Sequence, residues 1–255
     1  MQDLPIPSSE ELSAVCEPFD SFWEAPEDVE SGYSRFATFY RRNYLKHFPT
    51  DRSARILCVS CGPGYMVNLL KEEGYENVLG IDGMPEKIKP AQKRGLNCRS
   101  ARAFEFLKEN GEPFGAIFCE QELNHLTKRE MLAFLRLCRD NLREGGVVIA
   151  HSLNGANPIV GAENLAMNID HFNTLTEYSL GQMLRLAGFG NVEVFPLNLY
   201  VFYSNPLNYA GMAFHAASSL LFRLFFRLYG KSAKIFTKKI GVRATKGSGS
   251  GRAGS

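Results

Sequence analysis

The sequence predicts an α/β domain: a mostly parallel sheet with helices on both faces. Residues 56–60, 77–82, 114–119 and 147–151 are short apolar, partly β-branched runs with the length and composition of buried strands. The segments between them carry helical periodicity, and a regular βα alternation favours parallel strands joined by crossover helices. The first run, Ile56-Leu-Cys-Val-Ser60, passes through Gly62-Pro63-Gly64 straight into a helix. Glycine there permits a tight turn and a close approach of backbone to ligand, as in the first unit of nucleotide-type domains.

In chain order, residues 1 to about 30 are acidic and proline-bearing, which predicts loop with a short helix around residues 10–15. Tyr33, Phe36, Phe39, Tyr40 and Tyr44 recur near helical spacing, with Arg41, Arg42 and Lys46 between them, and predict a helix over 33–48. Helices are expected over 66–73, 85–94 and 101–110, with a short strand at 96–99. Thr127-Lys-Arg-Glu130 reads as a capping box that opens a helix to about residue 142, its Met131, Phe134, Leu135 and Leu137 turned inward. Gly145-Gly146 then separates that helix from the strand at 147–151. Thr174-Leu-Thr-Glu177 reads as a second box, starting a helix that ends at Gly188. Residues 192–195 and 199–203 are expected to close the sheet as an antiparallel pair.

Past Asn205 the character changes. Residues 212–229 hold 13 apolar side chains among 18, while His215, Ser219, Arg223 and Arg227 fall on one stripe four residues apart. Lys231, Lys234, Lys238, Lys239 and Arg243 follow. Two arginines in this stretch argue against a membrane span, and Phe and Leu opposite Arg is the form that lies in a bilayer interface. Docking on the domain, or on a second copy as a homodimer, is the other use for such a face. The predicted divisions are a helical cover at 1–50, the α/β domain at 51–205, a basic amphipathic appendage at 206–245, and a Gly/Ser-rich tail or cloning remnant at 246–255.

Length and charge narrow the function. At 255 residues the chain can bury an ample core, and a net charge of +2 demands no nucleic-acid partner. No charged segment followed by an apolar run opens the sequence, and six cysteines at irregular spacing fit a reducing, cytoplasmic setting better than a disulfide framework. Cys58 and Cys61 make a single C-x-x-C across a strand end, which reads as buried small side chains rather than zinc or redox chemistry. The five histidines show no paired spacing on a helix, so no metal is expected.

The glycine turn is followed, 18 residues after Gly64, by a second apolar run ending in Asp82. A carboxylate at that distance suits the tip of the second strand and the hydroxyls of a ribose. Position 67 is Val where a dinucleotide fingerprint has its third glycine, which disfavours NAD and leaves another adenosine-bearing cofactor. Cys-Gly-Pro-Gly-Tyr, then Gly-Ile-Asp, then Leu-Arg-Glu-Gly-Gly before a strand resembles the class I S-adenosylmethionine-dependent methyltransferases over about residues 51–200. Residues 154–194, with Asn-Gly-Ala-Asn-Pro, Asp170-His171 and Thr-Glu-Tyr-Ser-Leu, resemble members that act in glycan and surface-polysaccharide biosynthesis.

That resemblance implies a Rossmann-like, doubly wound sheet of seven strands with one antiparallel, and S-adenosylmethionine as cofactor. It places Ser60, Cys61, Gly62, Gly64 and Tyr65 against the methionine part, Asp82 on the ribose and Gly83 and Met84 by the adenine, with Ala103 and Glu120 also among the cofactor-binding residues. It also implies a covering helix over the cofactor, contributing Tyr40 to the acceptor side. Three positions depart from the family pattern: Cys58 replaces a usual acidic residue, Ser60 a glycine, and Arg102 a carboxylate near the adenine amine, which an arginine cannot serve as acceptor. These departures keep a catalytically silent scaffold open as an alternative.

A hydroxyl acceptor needs a general base, and His is suited to it at neutral pH. His125 lies on the loop after the fourth strand, at the carboxyl end of the sheet; His171 has Asp170 beside it to orient the ring. Asn154 and Asn157 suit sugar hydroxyls. The expected reaction is O-methylation of a sugar hydroxyl in a glycan or lipid-linked saccharide, at the inner face of a membrane through residues 212–239. A small apolar acceptor such as a quinone or lipid is the alternative.

Overall fold

The computed structural model describes residues 28–120, 123–166, 168–169, 171–198 and 207–247. The helix expected around 10–15, the strand expected at 199–203 and Asp170 lie outside them.

Helix α1 (Val29–Asn43) opens at Asp28, whose carboxylate accepts from the Ser31 N–H at 2.7 Å, and a 3₁₀ turn (Leu45–His47) follows it. The alternation then runs β1 (Ile56–Val59), α2 (Tyr65–Glu72), β2 (Val78–Asp82), α3 (Pro85–Lys93), β3 (Cys98–Ser100), α4 (Ala103–Glu109) and β4 (Phe114–Cys119). It continues through α5 (Lys128–Asp140), β5 (Leu142–Leu153), a short α6 (Glu163–Ala166), α7 (Glu177–Leu186), β6 (Gly190–Pro196), α8 (Leu207–Leu228) and β7 (Lys239–Thr245).

The seven strands lie in the order β3-β2-β1-β4-β5-β7-β6. All pairs from β3 to β5 are parallel, and β7 runs antiparallel to both of its neighbours. Central β1 sets Cys58 opposite Gly80 on one side and Phe118 on the other. Alternate residues feed two cores, as the two-residue period of a strand requires. Ile56, Cys58 and Phe118 pack under α1, α2 and α3, while Leu57, Val59 and Ile117 pack under α4, α5 and α7.

The first capping box forms as the sequence predicts: the Glu130 N–H donates to Thr127 Oγ1, and the Thr127 N–H donates to Glu130 Oε2 at 2.9 Å. The second is shifted. Helix α7 is capped by Thr176 with Ser179, because the Glu177 carboxylate is occupied by the N–H groups of Lys234 and Ile235. Strand β5 also begins earlier than expected. Gly145 and Gly146 lie within it, because the Gly145 N–H donates to the Lys246 carbonyl and the Lys246 N–H to that of Gly146.

The largest correction concerns residues 239–245 and the boundary at 205. The partner of β6 is β7, which also pairs with β5 along its whole length, from Val147 opposite Thr245 to Leu153 opposite Lys239. Residues 239–245, expected in a basic appendage, are thus an interior strand with Ile240, Val242 and Ala244 buried. Gly241 is required there, since a Cβ would come within 2.3 Å of the Phe195 ring. The amphipathic helix α8 is consequently an insertion between two paired strands. It leaves and returns at the carboxyl end of the parallel strands, where Pro196 faces Ile240 and Leu153 faces Lys239.

Candidate functional site

The candidate site lies at the carboxyl ends of β1, β2, β4 and β5, the side on which open α/β sheets bind ligands. The turn after β1 is held by left-handed backbone at Ser60 (φ 53°), Gly62 (φ 48°) and Gly64 (φ 81°). Ser60 adopts there a conformation that costs an L side chain roughly 1–2 kcal/mol. A Cβ at Gly62 would meet nothing within 4 Å, so the turn presents open backbone. At Gly64 a Cβ would meet Ala91 Cβ at 3.0 Å.

Asp82 is buried, and its carboxylate ties two loops together. Oδ2 accepts from the Gly62 N–H at 3.0 Å and Oδ1 from the Met84 N–H at 2.9 Å. It does not cap α3, whose N-cap is Met84. Each oxygen keeps a lone pair for a further donor, the arrangement a ribose diol needs. Gly83 lies between, with Arg102 Cγ 3.9 Å from where its Cβ would be, and Ala103 opens α4. An open glycine backbone beside a fixed, buried acceptor fits an adenosine-bearing cofactor.

Helix α1 covers this turn, as the sequence implies. The Tyr33 hydroxyl donates to the Pro63 carbonyl at 2.6 Å. The Tyr65 ring packs 5.0 Å from Tyr33 and 4.9 Å from Phe36, directly over Gly32, where a Cβ would fall within 2.4 Å of it. Burial pushes the Tyr65 phenol up to about 12, so it stays protonated. Cys61 and Cys98 lie together across Gly80, at 2.8 and 2.7 Å from where its Cβ would sit. Cys58 is buried in the strand.

The same helix reaches the ends of β4 and β5. The Tyr40 hydroxyl donates to Glu120 Oε2 at 2.5 Å, and the Tyr44 hydroxyl shares a 2.7 Å bond with His151 Nδ1. Burial raises the Glu120 carboxyl to about 7, against the opposing effects of the Tyr40 hydrogen bond and the Lys239 charge. Burial, aided by Lys239, lowers His151 to about 3, so that imidazole is neutral at physiological pH. Tyr44, His151 and Lys239 were not foreseen in the sequence. His151 looks like the polar end of an apolar run, and Lys239 is in place only because β7 pairs beside β5.

The two histidines expected as alternative bases are neighbours. His125 and His171 meet edge to face, ring centres 5.1 Å apart. The loops that carry them are stitched together: the Phe172 N–H donates to the Asn124 carbonyl, and the Asn173 amide to those of Leu123 and Leu126.

Asn154 and Asn157 are corrected. Both are buried, and both spend their amides on the limb entering β7. Asn154 Nδ2 donates to the Ile235 and Thr237 carbonyls at 3.0 and 2.8 Å, and Asn157 Nδ2 to that of Phe236 at 2.7 Å. Their side-chain oxygens accept from the N–H groups of Ala156 and Ile159. They are structural staples.

Residues 33–194 match the methyltransferase-domain family. The chain belongs to that family. It is similar to the ubiquinone biosynthesis O-methyltransferase of Xylella fastidiosa, with 31% identity over 120 residues, covering 45% of this chain and 48% of the relative. It is also similar to that of Cereibacter sphaeroides, with 31% identity over 156 residues, 54% of this chain and 61% of the relative. The chain thus spans about half the length of the curated relatives it matches. The crystal structure of a SAM-dependent methyltransferase from Archaeoglobus fulgidus aligns with a TM-score of 0.63 at 18% identity, over 84% of this chain and 94% of that one. That likeness establishes the fold, a Rossmann-like, mostly parallel sheet of seven strands flanked by helices.

Proposed function

We propose that the protein is an S-adenosylmethionine-dependent O-methyltransferase whose acceptor is a hydroxyl on a small apolar or lipid-borne molecule, met at the cytoplasmic face of a membrane. The observation that carries this is the Tyr40–Glu120 pair at the end of β4: a carboxyl near neutrality, held by a phenol, on the ligand side of the sheet. The similarity to O-methyltransferases of ubiquinone biosynthesis supports an apolar acceptor. A sugar acceptor, implied by the resemblance of residues 154–194, loses the two contacts expected from Asn154 and Asn157, whose amides serve the backbone.

S-adenosylmethionine, when bound, supplies a methyl group on a sulfonium, ready for in-line displacement. The chain's own residues do the rest. Open backbone at Ser60, Cys61, Gly62 and Gly64 and the Asp82 carboxylate hold the cofactor, with Gly83, Met84 and Ala103 on the adenine side. Glu120, ionised, takes the proton that the acceptor hydroxyl gives up, and Tyr40 fixes the carboxylate for it. Helix α1 shields the reacting atoms from water, and holding the partners in place supplies most of the acceleration. His125 and His171, side by side on the loops beyond, are the alternative base. Arg102, exposed beside Gly83, leaves adenine recognition to backbone groups.

Calorimetric titration with S-adenosylmethionine and its demethylated product tests the cofactor site. Wild type is expected to bind at micromolar concentration and Asp82→Ala at least tenfold more weakly. Absence of binding at millimolar ligand would replace the enzyme with a scaffold disabled at Cys58 and Arg102.

A further inference from the structure

Helix α8 carries its amphipathic pattern inside out. Its less exposed face is Gly211, Met212, His215, Ser218, Ser219, Phe222 and Phe226, and the middle of that face is small and polar. The opposite face puts Phe214, Leu220, Leu221, Leu224, Phe225 and Leu228 into solvent, with Leu220 70% and Leu228 75% exposed. A water-facing helix shows the reverse distribution, and a contiguous exposed row of Leu and Phe marks an interaction surface.

The helix is anchored, not loose. Phe222 and Phe226 pack on Phe236, with ring centres 6.0 and 4.7 Å apart, and Arg223 Nε donates to the Lys234 carbonyl at 2.7 Å. The returning limb is pinned by Glu177 on two N–H groups, by Asn154 and Asn157 on three carbonyls, and by the Tyr178 hydroxyl on the Ser232 carbonyl. These helix contacts are made through Phe222, Phe226 and Arg223 and leave the Leu row, with Phe214 and Phe225, outward.

Charge identifies the occupant. From Val194 to Thr245 the sequence contains no Asp or Glu and seven Lys or Arg, while the residues up to Glu193 carry the whole complement of 27 acids. Arg227, Lys231 and Lys234 are exposed at the end of α8 and the start of the return. A second copy docked by the same helix face would bring cations against cations. Anionic phospholipid headgroups bind cations around an inserted apolar row. Among the described residues no helix is long and apolar enough to cross a membrane, so α8 fits lying in the interface.

We infer that the outward face of α8 inserts into an anionic bilayer. The insertion starts and ends at the carboxyl end of the sheet, and the first residue after it, Lys239, lies close enough to Glu120 to influence its ionisation. The bilayer is thereby brought to the end of the sheet that holds the site. The surface itself does not depend on the acceptor, and its test involves no catalysis.

The test is sedimentation of the full chain with vesicles of phosphatidylcholine alone and of phosphatidylcholine with phosphatidylglycerol at about 3:1. Truncation at residue 210 is unsuitable, because it would remove β7 from the sheet. The protein should partition onto the anionic vesicles at least tenfold better than onto neutral ones, with the difference shrinking in high salt. Leu224→Glu with Leu228→Glu should abolish the partition with the thermal midpoint and cofactor binding unchanged, and Arg227→Glu with Lys231→Glu should reduce it about tenfold or more. Two results would overturn the inference: no partition at all, or partition indifferent to both pairs. A dimer in sedimentation velocity that Leu224→Glu with Leu228→Glu dissociates, without vesicle binding by wild type, would assign the face to a second copy instead.

Discussion

Helices α1 and α8 carry the same kind of signal in sequence, aromatic and aliphatic residues at helical spacing with arginines between, and the fold uses them in opposite ways. Helix α1 buries Tyr33, Phe36, Phe39 and Tyr40 against the sheet, and the polar tips of that apolar face reach the site at Pro63 and Glu120. Helix α8 rests on the body through Phe222 and Phe226, has half-buried His215, Ser218 and Ser219 on the same face, and sends its Leu row with Phe214 and Phe225 outward. Periodicity shows that a helix has two faces. Which face meets the protein depends on the surface available to receive it.

Substitution on the two helices is the sharpest way to break this contrast. Phe39→Ala, in the fully buried face of α1, should cost about 3–5 kcal/mol in denaturant unfolding. Leu224→Ser, on the outward face of α8, should stay within about 0.5 kcal/mol. Equal losses would mean that α8 is packed through its Leu row.

The next largest effect concerns the tip of α1. With a hydroxylated apolar acceptor, Glu120→Gln should lower kcat about 10²–10³-fold while cofactor affinity is kept. Since Glu120 acts ionised, wild-type kcat should rise with pH through about 7. Tyr40→Phe removes a hydrogen bond that lowers the Glu120 pKa, so it should move this limb to higher pH. A limb that stays in place would take Tyr40 out of the proton relay.

Deeper under the same helix, His151 is neutral in the folded protein, its pKa depressed to about 3 from an ordinary value near 6.5. The unfolded chain binds a proton at His151 between those values and the native one does not. Stability should therefore fall as pH drops from about 6.5 toward 3. Chemical denaturation across that range should show a shallower decline for His151→Gln. The smallest effect belongs to the glycine turn: Ser60→Gly relieves a left-handed serine and should raise stability by about 0.5–1 kcal/mol, read as a higher denaturation midpoint.

The parts legible in the sequence share one property: their determinants are close together along the chain. Strand β1, the glycine turn and α2 form a local unit, and Asp82 ends the very next strand. The Thr127–Glu130 box satisfies its donors within four residues. The misread parts depend on distant partners. Glu177 reads as the end of a capping box until the limb at 234–235 claims its carboxylate. Asn154 and Asn157 read as sugar contacts until carbonyls about 80 residues away take their amides. His125 and His171 were separate candidates until their loops were laid side by side.

The sequence by itself determined the α/β alternation, the methyltransferase resemblance, the glycine turn with Asp82, and the amphipathic character of residues 212–229. Each follows from local pattern: two-residue and 3.6-residue periods, glycine where backbone turns left-handed, a carboxylate at a strand end. Only the tertiary structure decided that β7 comes from residues 239–245, that α8 is an insertion at the ligand end of the sheet, and that its apolar face is the one left open. Those outcomes depend on which distant backbone groups pair and which surfaces are already covered. Strand pairing and burial are satisfied by the whole chain at once, so no local pattern encodes them.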